Sequence, residues 1–357
     1  MVSGGIEGKI ESGRCDRKGD FSFADLGGSL PVTLIPSHYR LPIMQDFGVI
    51  IACCFQDYLL AKGACASVRH FLGDVPLCLL VDGTFSTKSL EQAYDAMVIN
   101  RDTVKSDVLR ERSFGWGTTR LIAFWESPWQ HFLILDADTN IWGDVRKFAD
   151  FENYDVIMDE PNYNYPDEEI IEYFFNIEEV EKHFPDFDWR SHRTQYCCPG
   201  VYFGSRDIFT LEEYVEVLDF IDRYPHIFKY GDMGFLNFML WRAADAGKLR
   251  VGNADFQILA PDYGQEALKK RCPITNTGPV VQEDDAAIIH WCGDKPLMST
   301  SKTYADPMKF SRRQCLQAES GLTGIPADLW LQWEDWYSTS IKYKNKAQKK
   351  LKKFLKR

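Results

Sequence analysis

Short apolar runs alternate with amphipathic segments along most of the chain. The run Phe47–Cys54 contains no charged residue, which is typical of a strand buried on both faces of a parallel sheet. Residues 58–71 then show a helical period, and Pro76–Val81 is a second apolar run ending before Asp82-Gly83. Strand, helix and strand in this order predict a βαβ unit with parallel strands and a right-handed crossover.

The same alternation continues downstream and predicts an α/β fold, with a mostly parallel sheet flanked by helices on both faces. The further strands are predicted at residues 131–135, 156–158, 201–203 and 287–290. The further helices are predicted at residues 88–112, 118–126, 211–224 and 232–244.

The chain is predicted to have three parts. Residues 1–45, rich in Gly, Ser and charge, are predicted to be a flexible arm. Residues 46–300 are predicted to form a single domain, in which 160–195 has many charges and aromatics without a clean period. We expect 160–195 to be an insertion over the site, serving either as an acceptor platform or lid or as ordinary packing. Residues 301–357 are predicted to be a helical C-terminal region.

The last 17 residues, Ile341–Arg357, contain nine Lys or Arg and no acidic residue. Three apolar residues lie among these cations at helix-like spacing: Leu351, Phe354 and Leu355. Two interpretations remain open for this basic tail. It is either a helix that lies peripherally on an anionic membrane surface or a disordered solubilising tail.

Charge and cysteine content narrow the function classes. The net charge of −11 over 357 residues argues against a nucleic-acid binder, because backbone phosphates require a basic face. The ten cysteines contain no C-x-x-C pair, which argues against a zinc knuckle. No segment has the pattern of a signal peptide or a membrane span, so we expect reduced thiols in a cytoplasmic protein.

Two carboxylates, Asp136 and Asp138, directly follow the apolar strand at residues 131–135. Side chains at i and i+2 of an extended chain project to the same side. In open α/β sheets, ligands bind at the carboxyl ends of strands, where this pair lies. Oxygen ligands suit Mg²⁺ or Mn²⁺, and the pair needs further ligands from a phosphate and another side chain.

Two more segments carry candidate chemistry. His290 ends an apolar strand, and Lys295 follows it as a point charge suited to phosphate, with Gly293 between them. As a third metal ligand, an imidazole would favour Mn²⁺ somewhat over Mg²⁺. Asp232 is predicted at a helix start, where it serves as an N-cap, a site residue, or both.

Five segments together, in order and spacing, resemble the retaining glycosyltransferases of family eight, which includes glycogenin and the lipopolysaccharide galactosyltransferases. The resemblance covers roughly residues 46–300. The segments are Leu133–Thr139 (L-I-L-D-A-D-T, similar to L-D-A-D-T), the upstream Arg120, Pro199-Gly200-Val201 (similar to N-A-G-V), Gly231–Asn237 (similar to G-D-Q-G-x-L-N) and His290–Pro296 (similar to H-F-x-G-x-x-K-P, one residue shorter).

The resemblance implies a GT-A (Rossmann-like) fold, a UDP-sugar donor and one divalent cation, Mn²⁺ or Mg²⁺. It implies that Lys295 contacts the diphosphate. The metal ligands would be Asp136, Asp138 and His290. The donor sugar would contact Arg120 and Asp232, and Asp232 is the candidate catalytic residue. The other implied donor-binding positions are Cys54, Tyr58, Ala137, Gly200 and Gly293.

This chain departs from the family pattern at three places. Met233 replaces the family's Gln, Cys198 replaces its Asn, and Tyr58 lies one place out of register. These changes bear on which sugar and base are bound, and leave the presumed metal ligands intact.

We therefore expect a metal-dependent retaining glycosyltransferase that moves a hexosyl group from a UDP-sugar to a glycan or glycolipid hydroxyl. Retention proceeds either through a covalent intermediate, for which Asp232 is the candidate nucleophile, or by front-face attack, which Met233 beside it favours. One alternative is a catalytically degenerate nucleotide-sugar-binding module. Another is a nucleotidyltransferase, although the loop after the first strand lacks the basic, Gly-rich character usual in those enzymes.

Overall fold

The computed structural model of this protein describes residues 46–115, 117–229, 231–297 and 303–355, without the side chains of 342 and 345–355. The predicted flexible arm at residues 1–45 lies outside the described residues, as do the side chains of nearly all of the basic tail.

The described residues form twelve strands and twelve α-helices. The strands are β1 Phe47–Cys54, β2 Leu77–Asp82, β3 Met97–Ile99, β4 His131–Asp136, β5 Thr139–Trp142, β6 Val156–Asp159, β7 Val201–Ser205, β8 Val251–Ala254, β9 Gln257–Leu259, β10 Ile274–Thr275, β11 Gly278–Pro279 and β12 Ala287–His290. The helices are α1 Tyr58–Leu72, α2 Lys88–Tyr94, α3 Asp107–Arg112, α4 Ala123–Glu126, α5 Asp167–Tyr173, α6 Ile177–His183, α7 Leu211–Arg223, α8 Asp232–Asp245, α9 Ala260–Tyr263, α10 Gln265–Arg271, α11 Asp306–Ser320 and α12 Gly324–Leu355.

Seven strands form the main sheet in the order β3-β2-β1-β4-β7-β6-β8. All of its ladders are parallel except the two that β7 makes with β4 and β6. The predicted α/β fold with a mostly parallel sheet is therefore confirmed. Because β7 is reversed, the carboxyl end of β4 lies between a parallel neighbour, β1, and the start of an antiparallel one.

The apolar runs that predicted β1 and β4 are buried on both faces of this sheet. Alternate residues enter opposite cores: Ile50 and Ile134 pack on one face, whereas Val49 and Leu133 pack on the other. The first core is completed by residues of α3 to α8, and the second by residues of α1, α2 and α11. Helices thus cover both faces, which explains why the polar residues of these two strands, His131 and Asp136, lie at the ends of β4.

A second, three-stranded sheet holds the strand that ends in His290. Its order is β5-β12-β9, with β5 antiparallel and β9 parallel to β12. In this register His290 lies opposite Thr139, the residue that follows Asp138. The backbone N–H of Trp291 donates to the carbonyl of Asp138 at 3.0 Å. This small sheet brings the C-terminal end of β12 to the metal motif.

Two helix predictions were wrong in extent. Residues 88–112 form α2, the edge strand β3 and α3 instead of one helix. Helix α2 ends at Asp95, whose φ of 51° lies in the left-handed region and stops the helical path. Residues 118–126 form a 3₁₀ turn over Thr118–Ile122 followed by the single turn of α4. Short strands with no clear alternation, such as β5, β8 and β9, were not predicted.

The C-terminal helices α11 and α12 are joined to the domain by buried ion pairs. Arg312, 1% exposed, donates to Asp335 at 2.6 Å and to Glu334 at 3.1 Å. Lys62 of α1 pairs with Glu319 and Glu334, each at 3.0 Å. Across the residues that the structure describes, no helix combines the length and the apolar character needed to cross a bilayer. The cytoplasmic location stays a prediction.

Candidate metal and diphosphate site

A cleft of about 1110 Å³ opens at the carboxyl end of β4. Its walls come from both sheets and from the segment 159–173. Among the residues that line it are Arg120, Asp136, Asp138, Asp232, His290 and Lys295, which the sequence had predicted as site residues. Residues up to 175 positions apart in sequence therefore share one cavity.

The three predicted metal ligands come together. One ligand atom from each of Asp136, Asp138 and His290 lies within 4.8 Å of the other two. His290 Nε2 is 3.4 Å from Asp138 Oδ1 and 3.7 Å from Asp136 Oδ2. Two carboxylate oxygens and one imidazole nitrogen fit Mn²⁺ or Mg²⁺ with open positions left for phosphate oxygens.

Gly200 lets these ligands approach one another. A Cβ at this position would lie 2.3 Å from Cε1 of His290 and 2.7 Å from Oδ2 of Asp136. Neither distance is sterically possible, so no side chain fits without displacing a ligand. The carbonyl of Gly200 also accepts the backbone N–H of Asp136 at 2.8 Å. Gly200 thus supports the ligand set through its backbone, and it does not line the cleft wall.

Two cations compensate the carboxylates. The ammonium group of Lys295 donates to Oδ2 of Asp138. Arg120 donates through Nη1 to Asp136 at 3.0 Å and to the carbonyl of Pro199 at 3.0 Å. Its Nε forms an ion pair with Asp232 at 2.8 Å. Arg120 therefore joins the metal ligands to the candidate catalytic residue at the start of α8.

The charges shift the pKa values of these groups in opposite directions. Burial alone disfavours the charged form of Asp138, but His290 and Lys295 outweigh it and hold the pKa of Asp138 below its ordinary range. Burial would lower the pKa of His290, yet the Asp138 carboxylate raises it well above the ordinary value. His290 and Lys295 thus offset the negative charge of Asp138.

Burial raises the pKa of Asp232 to about 7, against the opposing charge of Arg120. Asp232 is 3% exposed and its neighbour Asp136 adds a further negative charge. Burial likewise raises the pKa of Asp136. The cleft therefore concentrates carboxylates that become more stable as anions when a cation enters.

A chain of hydrogen bonds behind His290 was missed by the sequence analysis. His290 Nδ1–H donates to Oε1 of Gln257 at 2.8 Å. The Gln257 amide donates in turn to Asp159 Oδ2 at 3.4 Å and to the carbonyl of Cys198 at 3.2 Å. Asp159 also accepts the backbone N–H of Gln257 at 2.8 Å, and burial raises its pKa to about 6. This arrangement leaves Nε2 of His290 facing the carboxylates as the ligating nitrogen.

The other predicted donor-binding residues lie at varying distances from the cleft. Cys54 ends β1 at the same sheet edge as Asp136, but its thiol faces Asp57 at 3.6 Å. The hydroxyl of Tyr58 contacts Ser89 at 3.0 Å, toward α2. Ala137 is buried between the two aspartates, and the exposed Gly293 lies in the loop between His290 and Lys295. None of the four lines the cleft within the described part of the chain.

The aromatics of residues 160–195 separate into two groups. Phe174, Phe175 and Trp189 are buried in the core. Tyr163, Tyr165 and Tyr173 line the cleft instead. Only the first half of this segment therefore reaches the cavity, and its role as an acceptor platform or lid stays a prediction.

No protein-family model matches this chain, and no curated protein matches it. Among solved structures, this chain is similar to a galactosyltransferase, LgtC, in complex with donor and acceptor sugar analogues. The two share 15% sequence identity, the match covers 78% of this chain and 97% of that chain, and the TM-score is 0.48. The glycosyltransferase GlyE of Streptococcus pneumoniae shows 16% identity over 83% of this chain and 64% of its own, with a TM-score of 0.47. Glucosyl-3-phosphoglycerate synthase of Mycobacterium tuberculosis, with Mn²⁺, UDP-glucose and phosphoglyceric acid, shows 12% identity, coverage of 58% and 68%, and a TM-score of 0.36. All three TM-scores are below 0.5, so the proposal that follows is based on the geometry of the site.

Proposed function

We propose that this protein is a metal-dependent glycosyltransferase that moves a hexosyl group from a UDP-sugar to a hydroxyl of a carbohydrate or glycolipid. The observation that supports this most directly is the convergence of Asp136, Asp138 and His290 with two cations in one cleft. In this proposal, residues 46–300 are a GT-A catalytic domain and 160–195 an insertion at its acceptor side.

The residues around the cleft fit the departure of a nucleoside diphosphate. The divalent cation, Mn²⁺ or Mg²⁺, would neutralise charge on the leaving diphosphate when bound. Lys295 pairs with Asp138. If Asp138 bound the cation, the ammonium group of Lys295 would be available to contact a phosphate oxygen. Arg120 adds positive potential from behind Asp136, and the buried surroundings strengthen both effects.

Asp232, on the donor-sugar side, is the candidate catalytic residue of the covalent route. A covalent route with retention requires an ionised carboxylate free to reach the anomeric carbon. Asp232 is instead held by Arg120 and is deeply buried, and its raised pKa favours the neutral acid. We therefore favour front-face attack with retention, in which Asp232 positions the sugar through Arg120. An Asp232→Asn enzyme should then keep a substantial part of its turnover, whereas a nucleophile replaced in this way would lose nearly all of it.

The deciding experiment is release of UDP from a panel of UDP-sugars, with and without Mn²⁺. Wild type should hydrolyse one donor slowly in a metal-dependent manner, and Asp138→Ala should lose that activity. Asp74→Ala is the matched control, since Asp74 is an exposed surface aspartate. Metal-dependent binding of UDP without hydrolysis or transfer to any acceptor would favour the degenerate binding module.

A nucleotidyltransferase makes a different prediction, namely pyrophosphate release from a nucleoside triphosphate and a sugar phosphate. The loop after β1 argues against it, because it is a 3₁₀ turn over Phe55–Asp57 without a basic residue. Pyrophosphate release, combined with no binding of UDP-sugars, would overturn the glycosyltransferase proposal.

A further inference from the structure

The C-terminal helix α12 has two faces of opposite character. It runs for 32 residues, and its inner face is buried in its first half. Ala327, Leu331, Glu334 and Asp335 make up that inner face, at the three- and four-residue spacing of a helix. The buried ion pairs of Arg312 with Glu334 and Asp335 hold this face against α11.

The outer face carries large apolar side chains in contact with solvent. Ile325 is 75% exposed, Trp336 65% and Tyr343 69%. Spacings of four, four and three residues place the main members of this face on one stripe: Ile325, Leu329, Trp333 and Trp336. Trp330 and Tyr337 flank the stripe, each with its ring against Trp333 at 5.2 Å and 5.4 Å. We call the seven exposed apolar residues of α12 the aromatic face: Ile325, Leu329, Trp330, Trp333, Trp336, Tyr337 and Tyr343.

This concentration is unusual. Half of the exposed large hydrophobic side chains in the described part of the chain lie on this one helix. Single exposed apolar residues are ordinary, but a contiguous exposed patch of this kind marks an interaction surface. Because Glu334 and Asp335 are buried on the opposite side, the helix cannot rotate its aromatic face inward without exposing α11 and breaking the ion pairs.

The sequence extends the same stripe into the basic tail. From Tyr343 the spacing continues through Ala347, Leu351 and Phe354, and the backbone remains helical to Leu355. Six of the nine Lys and Arg of residues 341–357 fall between these apolar positions in the sequence. The apolar stripe is therefore about twice as long as the tail alone suggests, and its first half includes Trp333 and Trp336.

We propose that α12 lies in the plane of an anionic membrane surface, with the aromatic face in the headgroup region and the basic tail against acidic lipids. Trp and Tyr are the side chains enriched at membrane interfaces, and Lys-rich helices with an apolar face bind in this plane. The charge distribution favours an anionic membrane as the partner of α12, because the rest of the chain is strongly acidic and such a surface attracts only the basic tail. Two copies of this helix side by side in parallel would bring nine cations against nine.

The test uses the full chain and sedimentation with lipid vesicles. Wild type should bind vesicles of phosphatidylcholine mixed with phosphatidylglycerol, bind pure phosphatidylcholine weakly, and be released by salt. The double variant Trp333→Ser/Trp336→Ser should lose about tenfold or more in partitioning, since its tail is intact but its face is not. Met97→Ser/Val280→Ser, which removes two exposed apolar side chains elsewhere, should bind as wild type does.

Quenching of tryptophan fluorescence by brominated lipids gives a second readout, which should fall sharply in the double variant. Unchanged binding by Trp333→Ser/Trp336→Ser would overturn the proposal, as would equal binding by a chain that ends at Thr339. A wild-type dimer in solution that this variant converts to a monomer would show that a second copy covers the face instead. UDP release without vesicles should be the same for all of these chains, so the result is independent of the proposed catalysis.

Discussion

The metal site should depend on Gln257, a residue that would not touch the metal. Gln257 accepts the Nδ1–H of His290 at 2.8 Å, and both side chains are buried. Replacing Gln257 by Leu removes this acceptor, and the next candidate, the Cys198 thiol, is 4.0 Å away. The imidazole then loses the bond that selects its tautomer and orientation.

The expected loss of Mn²⁺ affinity in Gln257→Leu can be worked out in two ways. A buried N–H left without a partner costs about 1–3 kcal/mol. Loss of a hydrogen bond to a ligating histidine typically weakens metal binding by about 10–100-fold, which corresponds to roughly 1.4–2.7 kcal/mol. The two ranges agree, so we expect Gln257→Leu to raise the Kd for Mn²⁺ by about one to two orders of magnitude.

Electron paramagnetic resonance of free Mn²⁺ measures this Kd directly. The metal-induced rise in Tm at a fixed Mn²⁺ concentration provides a check, since stabilisation depends on the ratio of metal concentration to Kd. His290→Ala sets the scale for complete loss of a ligand. Gln130→Leu is the matched control, because Gln130 is a half-buried glutamine that donates to a backbone carbonyl, that of Arg206, at the other end of β4.

A Gln257→Leu protein that is folded and binds Mn²⁺ within twofold of wild type, while His290→Ala does not, would refute the role of Gln257. Gln257→Met, which keeps the length of the side chain without the amide, guards against a misfolded Leu variant. Equal Mn²⁺ binding by His290→Ala would refute the metal site itself.

Three further outcomes are expected. Mn²⁺ affinity should rise about tenfold per pH unit near neutrality, because Asp138 raises the pKa of His290 and the metal must displace the Nε2 proton. Calorimetry in two buffers detects the released proton. A Kd for Mn²⁺ that does not change with pH would contradict the argument. Gly200→Ala should weaken Mn²⁺ binding more than about tenfold, because its new Cβ would clash with His290. Gly293→Ala is the control and should bind Mn²⁺ as wild type does, because its Cβ would meet only Pro261 at 3.5 Å. Arg312→Met should lower the free energy of unfolding in urea by about 3–5 kcal/mol, because it removes the cation from two buried ion pairs, with Glu334 and Asp335. Arg313→Met, whose partner Asp328 is half-exposed, should cost under about 1 kcal/mol, and equal losses would argue against burial as the cause.

Metal binding would change the interaction partners of Asp138 in the cleft. Without metal, Asp138 is shared between His290 and Lys295. A cation bound by Asp138 and His290 would compete with the Nε2 proton of His290 and with the Lys295 ion pair. Metal binding and the availability of Lys295 for a diphosphate are therefore expected to be coupled, and the two should be measured in the same titration.

Much of the architecture could be read from residue patterns alone. Between their ends, the strands β1 and β4 are apolar because both of their faces are covered. Asp136 then stands out as the first charge at the end of a buried strand. Local periodicity also predicted α1, α7 and α8 to within about two residues, since an amphipathic helix carries its period in every turn.

Only the tertiary structure decided which distant residues meet. His290 reaches Asp138 because β12 pairs antiparallel with β5 in a separate sheet, and neither strand's pattern indicates its partner. Gln257 lies on a three-residue strand, too short to show any period. The outward direction of the aromatic face likewise depends on which side of α12 meets α11. A residue pattern records how each segment is buried, whereas contacts across the chain depend on how the segments pack, and hydrogen bonds of about 3 Å are decided at that level.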